Sequence, residues 1–399
     1  MAVIGLLFNM VIGVLFSWSV YAQKLTRSLS EGGYGWSHTM AILPYTITIL
    51  VRAFCMYPTG RLQITLGPRI TAWIGVLCLG GGFFLASLSS PASNLFMILG
   101  FGLLGGLGVG FCYSAILPVV IKWFPGNMVG RASGMVMFGM AIGTIYVSPI
   151  SNYLLNTYGI AATLRILATY IMICGGFLAL FLENPPSEEQ ASESSATPSQ
   201  RQFSTKEMLA NPLFYINWFQ FFTLACVGLM LTGHLAQIVS FQSSGMLQRS
   251  YMMVVLLAIF NSFGRPFAGI LFDLYGKEKT LVLITLSSLL MVCLLNFAHT
   301  LPIFLIIIIV MGLNYGSCIS LFPSITADLW GKQNFSANYG IMYTAWGIAG
   351  IIGPNIASLS IDRFQTYSWG YTFFVILFII SLILSVVKSK VLYNYSILR

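Results

Sequence analysis

The sequence NSFGRPFAGILFDLYGKEK, residues 261–279, settles the structural class of this chain. It closes an apolar run that begins near residue 250, and it places Asp273, Lys277 and Lys279 where that run ends. A helix of about 20 apolar residues is long enough to cross about 30 Å of hydrocarbon. We therefore predict a membrane span over 250–272, and Arg265 is the charged residue that lies inside it.

The composition extends this prediction to the whole chain. Of 399 residues, 57% are hydrophobic and 7% are charged, whereas charged residues make up about 25% of a soluble protein. So few charges cannot coat a globule, and most of the surface must face membrane lipid. The net charge of +9 is spread thinly over the loops, which argues against nucleic-acid binding. The seven cysteines form no C-x-x-C pair, and we expect no metal site, no cofactor and no enzymatic activity.

Twelve apolar runs are long enough to cross a membrane. The predicted spans cover 2–24, 38–60, 70–90, 94–122, 130–155, 161–182, 211–240, 250–272, 279–298, 302–326, 335–360 and 368–388. If the N-terminus is cytoplasmic, twelve lysines and arginines fall in inside segments, four in outside loops and three within spans, which accounts for all 19. This asymmetry predicts a multi-pass protein with both termini cytoplasmic.

The chain divides between the sixth and seventh spans. A stretch rich in Glu, Ser, Pro and Gln begins at residue 183 and is typical of a flexible linker. We place an N-terminal six-helix bundle at 1–182, a cytoplasmic linker at 183–208 and a C-terminal six-helix bundle at 209–399. The halves repeat at a separation of 209 residues, which aligns Gly60, Ile64 and Gly67 with Gly269, Asp273 and Gly276. A parallel repeat of this kind is typical of a two-bundle transporter whose substrate site lies between the halves.

The segment that contains Asp273 resembles the G-x-x-x-D-x-x-G-K signature of the major facilitator superfamily. The first copy keeps the glycines but has Ile64 where that family has Asp. The resemblance implies an all-α integral membrane fold of twelve transmembrane helices in two six-helix bundles, with signature residues that latch the cytoplasmic helix ends. Prolines inside spans 5 and 11 predict hinges. The residues expected to gate or bend the helices are Gly60, Gly67, Arg69, Arg131, Pro149, Gly269, Asp273, Gly276, Lys277 and Pro354.

Further motifs in the same order are similar to those of the oxalate/formate antiporters and the monocarboxylate transporters. They are Ser17-Trp18, Lys122-Trp123-Phe124-Pro125, Gly130-Arg131-Ala132-Ser133-Gly134, Leu321-Phe322-Pro323-Ser324 and Asn338-Tyr339-Gly340. This resemblance covers nearly the whole chain and implies a carrier of small organic anions that works by alternating access.

Arg265 is the strongest candidate for a substrate-binding residue. It lies eight residues before Asp273, about 12 Å along the helix, and a permanent charge at that depth usually marks a substrate path. No acidic residue lies at the same depth, which leaves a substrate carboxylate as its expected partner. In the resembled family the Arg of this motif binds that carboxylate. Asn261 lies one turn earlier on the same face and is a second pocket candidate.

Arg52 bears on the number of charges that the substrate carries. The repeat aligns it with Asn261, so we expect it to face the central cavity from span 2. Oxalate-transporting relatives have a Lys in span 11, and that position holds Trp346 here. Either the site binds an anion with one negative charge, such as lactate or formate, or Arg52 supplies the second positive charge for a dicarboxylate. We favour the first alternative.

Aromatic side chains are expected to wall the site, and one histidine is a candidate for proton transfer. His234 is the only group in the middle of a predicted span with an ordinary pKa near neutrality. The alternative for each aromatic residue is that it packs between helices and does not contact substrate. The aromatic candidates are Tyr21, Tyr113, Tyr315, Tyr343 and Trp346.

The sequence therefore predicts a secondary transporter of a small monocarboxylate, coupled to a counter-anion or a proton or to neither. A dicarboxylate exchanger and a non-transporting membrane sensor remain alternatives. We expect a monomer in contact with membrane lipid, in a bacterial inner membrane.

Overall fold

The computed structural model describes residues 1–124, 128–185, 202–243 and 250–397. Within these residues, eleven helices are long and apolar enough to cross a membrane. In chain order the helices are α1 (Ala2–Thr26), α2 (38–66), α3 (68–86), α4 (Leu95–Lys122), α5 (Val129–Thr157), α6 (Gly159–Ala179), α7 (Pro212–Gln242), α8 (Ser250–Tyr275), α9 (Lys277–Leu295), α10 (Leu301–Trp330), α11 (Phe335–Phe364) and α12 (Ser368–Ile397).

One of the eleven contains two membrane crossings. The helical stretch Met40–Ala86 has 47 residues, which at 1.5 Å per residue is about 70 Å, or twice the hydrocarbon thickness. Gly67 breaks it with φ 78° and ψ 169°, a conformation open to a residue without a Cβ. Gly276, between α8 and α9, has φ 81° and ψ 163°. The same turn thus recurs 209 residues later, which confirms the internal repeat here, and the predicted twelve transmembrane helices are present.

The structure adds detail at the predicted linker. Ser204 and Glu207 form a reciprocal capping box that starts a short helix, Thr205–Ala210, and Asn211 caps α7 by accepting from the backbone N–H of Leu213. The last residues of the segment 183–208 are therefore helical. Residues 186–201, where the flexible linker is predicted, lie outside the described residues.

The chain forms two compact units. The first comprises Met1–Pro125, Met135–Phe203 and Trp330–Tyr343; the second comprises Gly126–Gly134, Ser204–Leu329 and Thr344–Arg399. Each unit thus includes one short segment from the other half of the sequence.

Glycines bring the helices of the first unit into close contact. A Cβ on Gly139 would collide with the carbonyl of Leu6, and one on Gly13 would lie 2.7 Å from the Cα of Gly143. In α4, a Cβ on Gly106 would lie 2.9 Å from the carbonyl oxygen of Thr48 in α2. Glycine at these positions lets the helix backbones approach closely.

In the second unit the same device joins α8 to α10. A Cβ on Gly264 would collide with the carbonyl of Leu313, and one on Gly316 would collide with the carbonyl of Asn261.

An ion pair joins other helix ends of the second unit. The fully buried Lys388 of α12 lies 3.0 Å from the carboxylate of Glu278 and donates to Asn217 at 2.8 Å. This lysine, with one acidic and one amide partner, connects α7, α9 and α12.

Candidate functional site

Arg265 lies on the part of α8 that packs against α10. Its side chain is 8% exposed although the surrounding span is apolar. Its backbone carbonyl accepts a hydrogen bond from Ser320 of α10 at 3.0 Å, and the carbonyl of Gly264 accepts one from Ser317, also at 3.0 Å. These bonds, together with the glycine contacts, fix the position of the arginine relative to α10.

Asn261 lies one turn before Arg265, as predicted, but its side chain is turned toward α10. Its Oδ1 is buried and lies 3.1 Å from the position that a Cβ on Gly316 would take. Among the described residues this oxygen has no hydrogen-bond partner. Its predicted contact with substrate stays a prediction.

The structure brings two predicted aromatic residues together in the second unit. Trp346 of α11 donates from its indole nitrogen to the hydroxyl oxygen of Tyr315 of α10 at 3.2 Å. The ring of Tyr315 lies over Gly228 of α7, where a Cβ would collide with it. Because the Tyr315 oxygen accepts from the indole, its own hydrogen can be donated to another acceptor.

Three further candidates form a cluster within the first unit. The Arg52 guanidinium carbon lies 5.1 Å from the ring centroid of Tyr113 and 5.1 Å from that of Tyr343. Arg52 is 3% exposed, and Tyr113 and Tyr343 are each 1% exposed. A desolvated cation over aromatic faces is stabilised by about 2 kcal/mol or more. The structure therefore embeds this buried charge among aromatic rings.

Tyr339 completes the Arg52 cluster. Its ring centroid lies 6.4 Å from that of Tyr113 and 5.8 Å from that of Tyr343. This tyrosine belongs to the motif Asn338-Tyr339-Gly340, but it is not among the site residues predicted from the sequence. One helical turn separates it from Tyr343, and that spacing is the signal that could have identified it.

Tyr21 and His234 lie in other surroundings. The hydroxyl of Tyr21 donates to Ser151 of α5 at 3.1 Å within the first unit. His234 lies eight residues before the end of α7, and its expected function in proton transfer stays a prediction. About six helical turns of α7 precede it. Its ring is 3.0 Å from Gln237 and 3.3 Å from Ser358.

A loop tyrosine lies beside His234. The ring of Tyr367 is 6.5 Å from the imidazole, edge to face. Burial, and then the neighbouring Asp362, raise the pKa of Tyr367 above its ordinary value. The phenol therefore stays protonated at neutral pH, so this neighbour of His234 carries no charge.

The gating candidates of the second unit form a compact arrangement at the start of α5. Arg131 Nε lies 3.1 Å from the Asp273 carboxylate, whose side chain is 3% exposed. Gly130 and Gly269 face each other, and a Cβ on Gly130 would lie 2.8 Å from Asp273 Oδ1. An acidic group beside the first turn of a helix is favourably placed.

Other gating candidates lie in different surroundings. Lys277 donates to Asp328 at 2.5 Å, and Arg69 pairs with Glu183 at the start of the predicted linker. Pro149 lies inside α5 and Pro354 inside α11, as predicted, and their function as hinges stays a prediction.

The first copy of the signature differs from the second in the direction of its polar group. Ile64, at the position of the family's Asp, is 45% exposed, whereas the preceding Gln63 is 2% exposed. Gln63 accepts a hydrogen bond from Ser336 at 2.7 Å, within the first unit. Neither Gln63 nor Ser336 is among the site residues predicted from the sequence, although a polar residue next to the position of the missing acid is a usable signal.

Comparisons with known proteins fit this arrangement of helices. The family model described as Major Facilitator Superfamily matches residues 1–273 and 239–392. The chain belongs to the major facilitator superfamily. Members of this superfamily are transporters, and the protein is accordingly a multi-pass integral membrane transporter.

Relatives in the superfamily cover most of the chain. The oxalate:formate antiporter of Oxalobacter formigenes is 26% identical over 376 residues, which is 93% of this chain and 85% of the relative. Monocarboxylate transporter 10 of Homo sapiens is 23% identical and covers 84% of this chain and 74% of the relative. The resemblance to these two groups is confirmed.

Solved structures of the superfamily share the fold. The human organic anion transporter MFSD10 (TETRAN) aligns with a TM-score of 0.74 at 13% identity, over 96% of this chain and 98% of that chain. The E. coli fucose:proton symporter FucP aligns with a TM-score of 0.70 at 13% identity, over 95% of this chain and 97% of that chain.

Proposed function

We propose that this transporter moves a small monocarboxylate, of the lactate or formate type, by alternating access, with Arg265 as the carboxylate ligand. The observation that carries the proposal is a permanently charged side chain, 8% exposed, inside the apolar span Met252–Tyr275. A guanidinium is costly at that depth and is characteristic of a substrate path. Its planar fork matches the two oxygens of a carboxylate.

The polar groups of the second unit suit such a substrate. Trp346 donates to the hydroxyl oxygen of Tyr315, so the two aromatic side chains form a hydrogen-bonded pair. Both residues are nearly buried, at 5% and 6% exposure, and an aromatic surface without charge suits the apolar part of a small organic acid. One arginine neutralises one carboxylate, which favours a monovalent substrate.

The placement of acidic residues supports exchange or uniport over proton symport. All ten acidic residues fall at or between the ends of the apolar runs. Asp273, at the end of α8, is paired with Arg131. The remaining features of the proposal are cytoplasmic termini, a bacterial inner membrane and a monomeric carrier with no cofactor.

A dicarboxylate is the second candidate substrate, and Arg52 is the observation in its favour. This residue supplies a second buried charge inside a membrane helix. A substrate with two carboxylates would need such a charge, because the usual lysine of span 11 is replaced by Trp346.

Counterflow into proteoliposomes tests the proposal. Vesicles preloaded with unlabelled lactate, formate or oxalate are given the radiolabelled anion, with the native protein, Arg265→Ala and Arg52→Ala. We expect monocarboxylate counterflow that Arg265→Ala abolishes and that Arg52→Ala slows without abolishing. Oxalate counterflow that needs both arginines would favour the dicarboxylate, and no anion counterflow at all would contradict both and favour a sensor.

A further inference from the structure

Three consecutive glycines lie inside the membrane helix α3. Gly80 and Gly82 are buried, and Gly81 is half-buried. Glycine in the interior of a helix weakens it relative to alanine, because the glycine backbone loses more conformational freedom on folding. Three glycines in succession therefore require a reason, either in the packing of the helix or in its flexibility.

Packing accounts for two of the three glycines. A Cβ on Gly80 would lie 2.6 Å from Cγ of Met172 in α6, and a Cβ on Gly82 would lie 2.5 Å from the carbonyl oxygen of Gly100 in α4. Gly81 differs, because a Cβ there would meet no atom of the described residues within 4 Å. Its φ is not positive either. Neither space nor backbone geometry therefore requires glycine at position 81.

The two neighbouring helices depart from α-helical geometry where they meet these glycines. Residues Ile98–Leu104 of α4 and Ile171–Gly175 of α6 are π-helical, and they contain Gly100 and Met172. In a π-helix each N–H bonds the carbonyl five residues earlier, as the N–H of Gly105 does with Gly100. Such turns are rare and occur frequently at functional sites. The irregular backbone of α4 and α6 thus coincides with their contacts to α3.

The second unit contains the equivalent three helices without these features. In the 209-residue repeat, α9 (277–295) corresponds to α3 (68–86) and contains no glycine. It has Leu289-Leu290-Met291 where α3 has its three glycines. The counterparts of the two π-helical segments, 307–313 of α10 and 380–384 of α12, are α-helical. The irregularity is therefore specific to the first unit.

We propose that Gly80–Gly82 and the two π-helical segments form a flexible joint, at which α3, α4 and α6 open locally and bend together. Two independent observations meet here: a glycine that packing does not require, and altered hydrogen bonding in both helices that contact the glycines. All three helices belong to the first unit. The joint is a property of this unit, whatever substrate the protein transports. Because helices open most often where they are least stable, amides at the joint should exchange fastest with solvent.

Backbone hydrogen exchange tests the joint. The purified full chain in lipid nanodiscs is placed in deuterated buffer, and exchange is followed by mass spectrometry. Each rate is divided by the intrinsic rate for the same sequence, so that the faster chemical exchange of glycine does not enter. The repeat supplies a matched counterpart for each segment of the joint. The segments 77–86, 98–106 and 168–176 are compared with 286–295, 307–315 and 377–385, respectively.

We expect the native joint to exchange about tenfold faster than its counterparts. Gly81→Ala adds a methyl group where there is space for it. It should slow exchange in all three segments about fivefold, the effect of replacing one helical glycine by alanine. The reciprocal change, Leu290→Gly, should accelerate exchange of 286–295, whereas its matched control Leu290→Ala should change it less than about twofold.

Three results would overturn the joint. They are equal protection of α3 and α9 in the native protein, exchange that Gly81→Ala leaves unchanged, and an effect of Gly81→Ala confined to α3, which would exclude the π-helical segments. The Leu290→Gly arm leaves α3 untouched, so it stays decisive if Gly81→Ala does not fold. No acceleration in Leu290→Gly would show that glycine at this position of the helix does not loosen it.

Discussion

Arg52 and Arg265 are both buried in membrane helices, but their surroundings differ. Arg52 lies against the rings of Tyr113 and Tyr343, 5.1 Å from each centroid. Arg265 lies on a helix whose backbone is fixed by Ser320, in the unit that also holds the Tyr315–Trp346 pair. For Arg52 the structure shows what surrounds the charge itself, whereas for Arg265 it shows what fixes the helix that carries the charge. We propose a positioning role for Arg52 and substrate binding for Arg265.

The largest effect is expected at Arg265. Replacement by Ala removes a two-pronged, charge-assisted pair with the substrate, and the initial rate of lactate counterflow should fall about 100-fold. Arg265→Lys keeps the charge but loses the fork, and it should retain part of the activity. Counterflow that survives Arg265→Ala would remove the distinction between the two arginines.

Arg52→Ala should separate the two roles. If Arg52 holds the aromatic cluster of Tyr113, Tyr339 and Tyr343 in place, its loss should lower the maximal rate of counterflow about tenfold, while the half-saturating lactate concentration changes less than about threefold. A large rise in the half-saturating concentration with little change in the maximal rate would instead make Arg52 a substrate ligand.

Variants of Tyr343 test whether the aromatic ring face holds Arg52. Tyr343→Phe keeps the ring, and we expect counterflow within about twofold of the native rate, since the contact is to the ring face. Tyr343→Leu removes the ring and should act like Arg52→Ala, with a fall of about fivefold in the maximal rate. Identical results for Phe and Leu would show that the ring face is unimportant.

The smallest effect is expected at Trp346. Trp346→Phe removes the indole donor that orients Tyr315 and should raise the half-saturating lactate concentration about threefold, without loss of the maximal rate. Trp218→Phe is the control, because it removes a comparable indole donor, to Thr344 at 2.9 Å in the same unit. An equal change in both variants would show a general packing effect.

Much of the fold could be predicted because its signals are periodic and local. Length and hydropathy identify the spans, and the repeated glycines at 67 and 276 correctly mark two equivalent turns. The grouping of Arg52, Tyr113 and Tyr343 could not be derived from spacing. These residues belong to three helices that are distant in the sequence, and only the packed structure brings them together.

Gln63 shows why part of the gating site was missed. The repeat alignment directs attention to Ile64, because the family's Asp occupies that position, but the side chain of Ile64 is exposed and its neighbour is buried. Successive residues of a helix point about 100° apart. An alignment therefore does not show whether residue 63 or residue 64 faces the neighbouring helix.

The most direct measurement is equilibrium binding of radiolabelled lactate to the purified protein, in native form and as Arg265→Ala and Arg52→Ala. We predict saturable binding to the native protein and to Arg52→Ala, and none to Arg265→Ala at the same concentrations. Binding that persists in Arg265→Ala, or that is lost equally in both variants, would contradict the assignment of Arg265 as the carboxylate ligand.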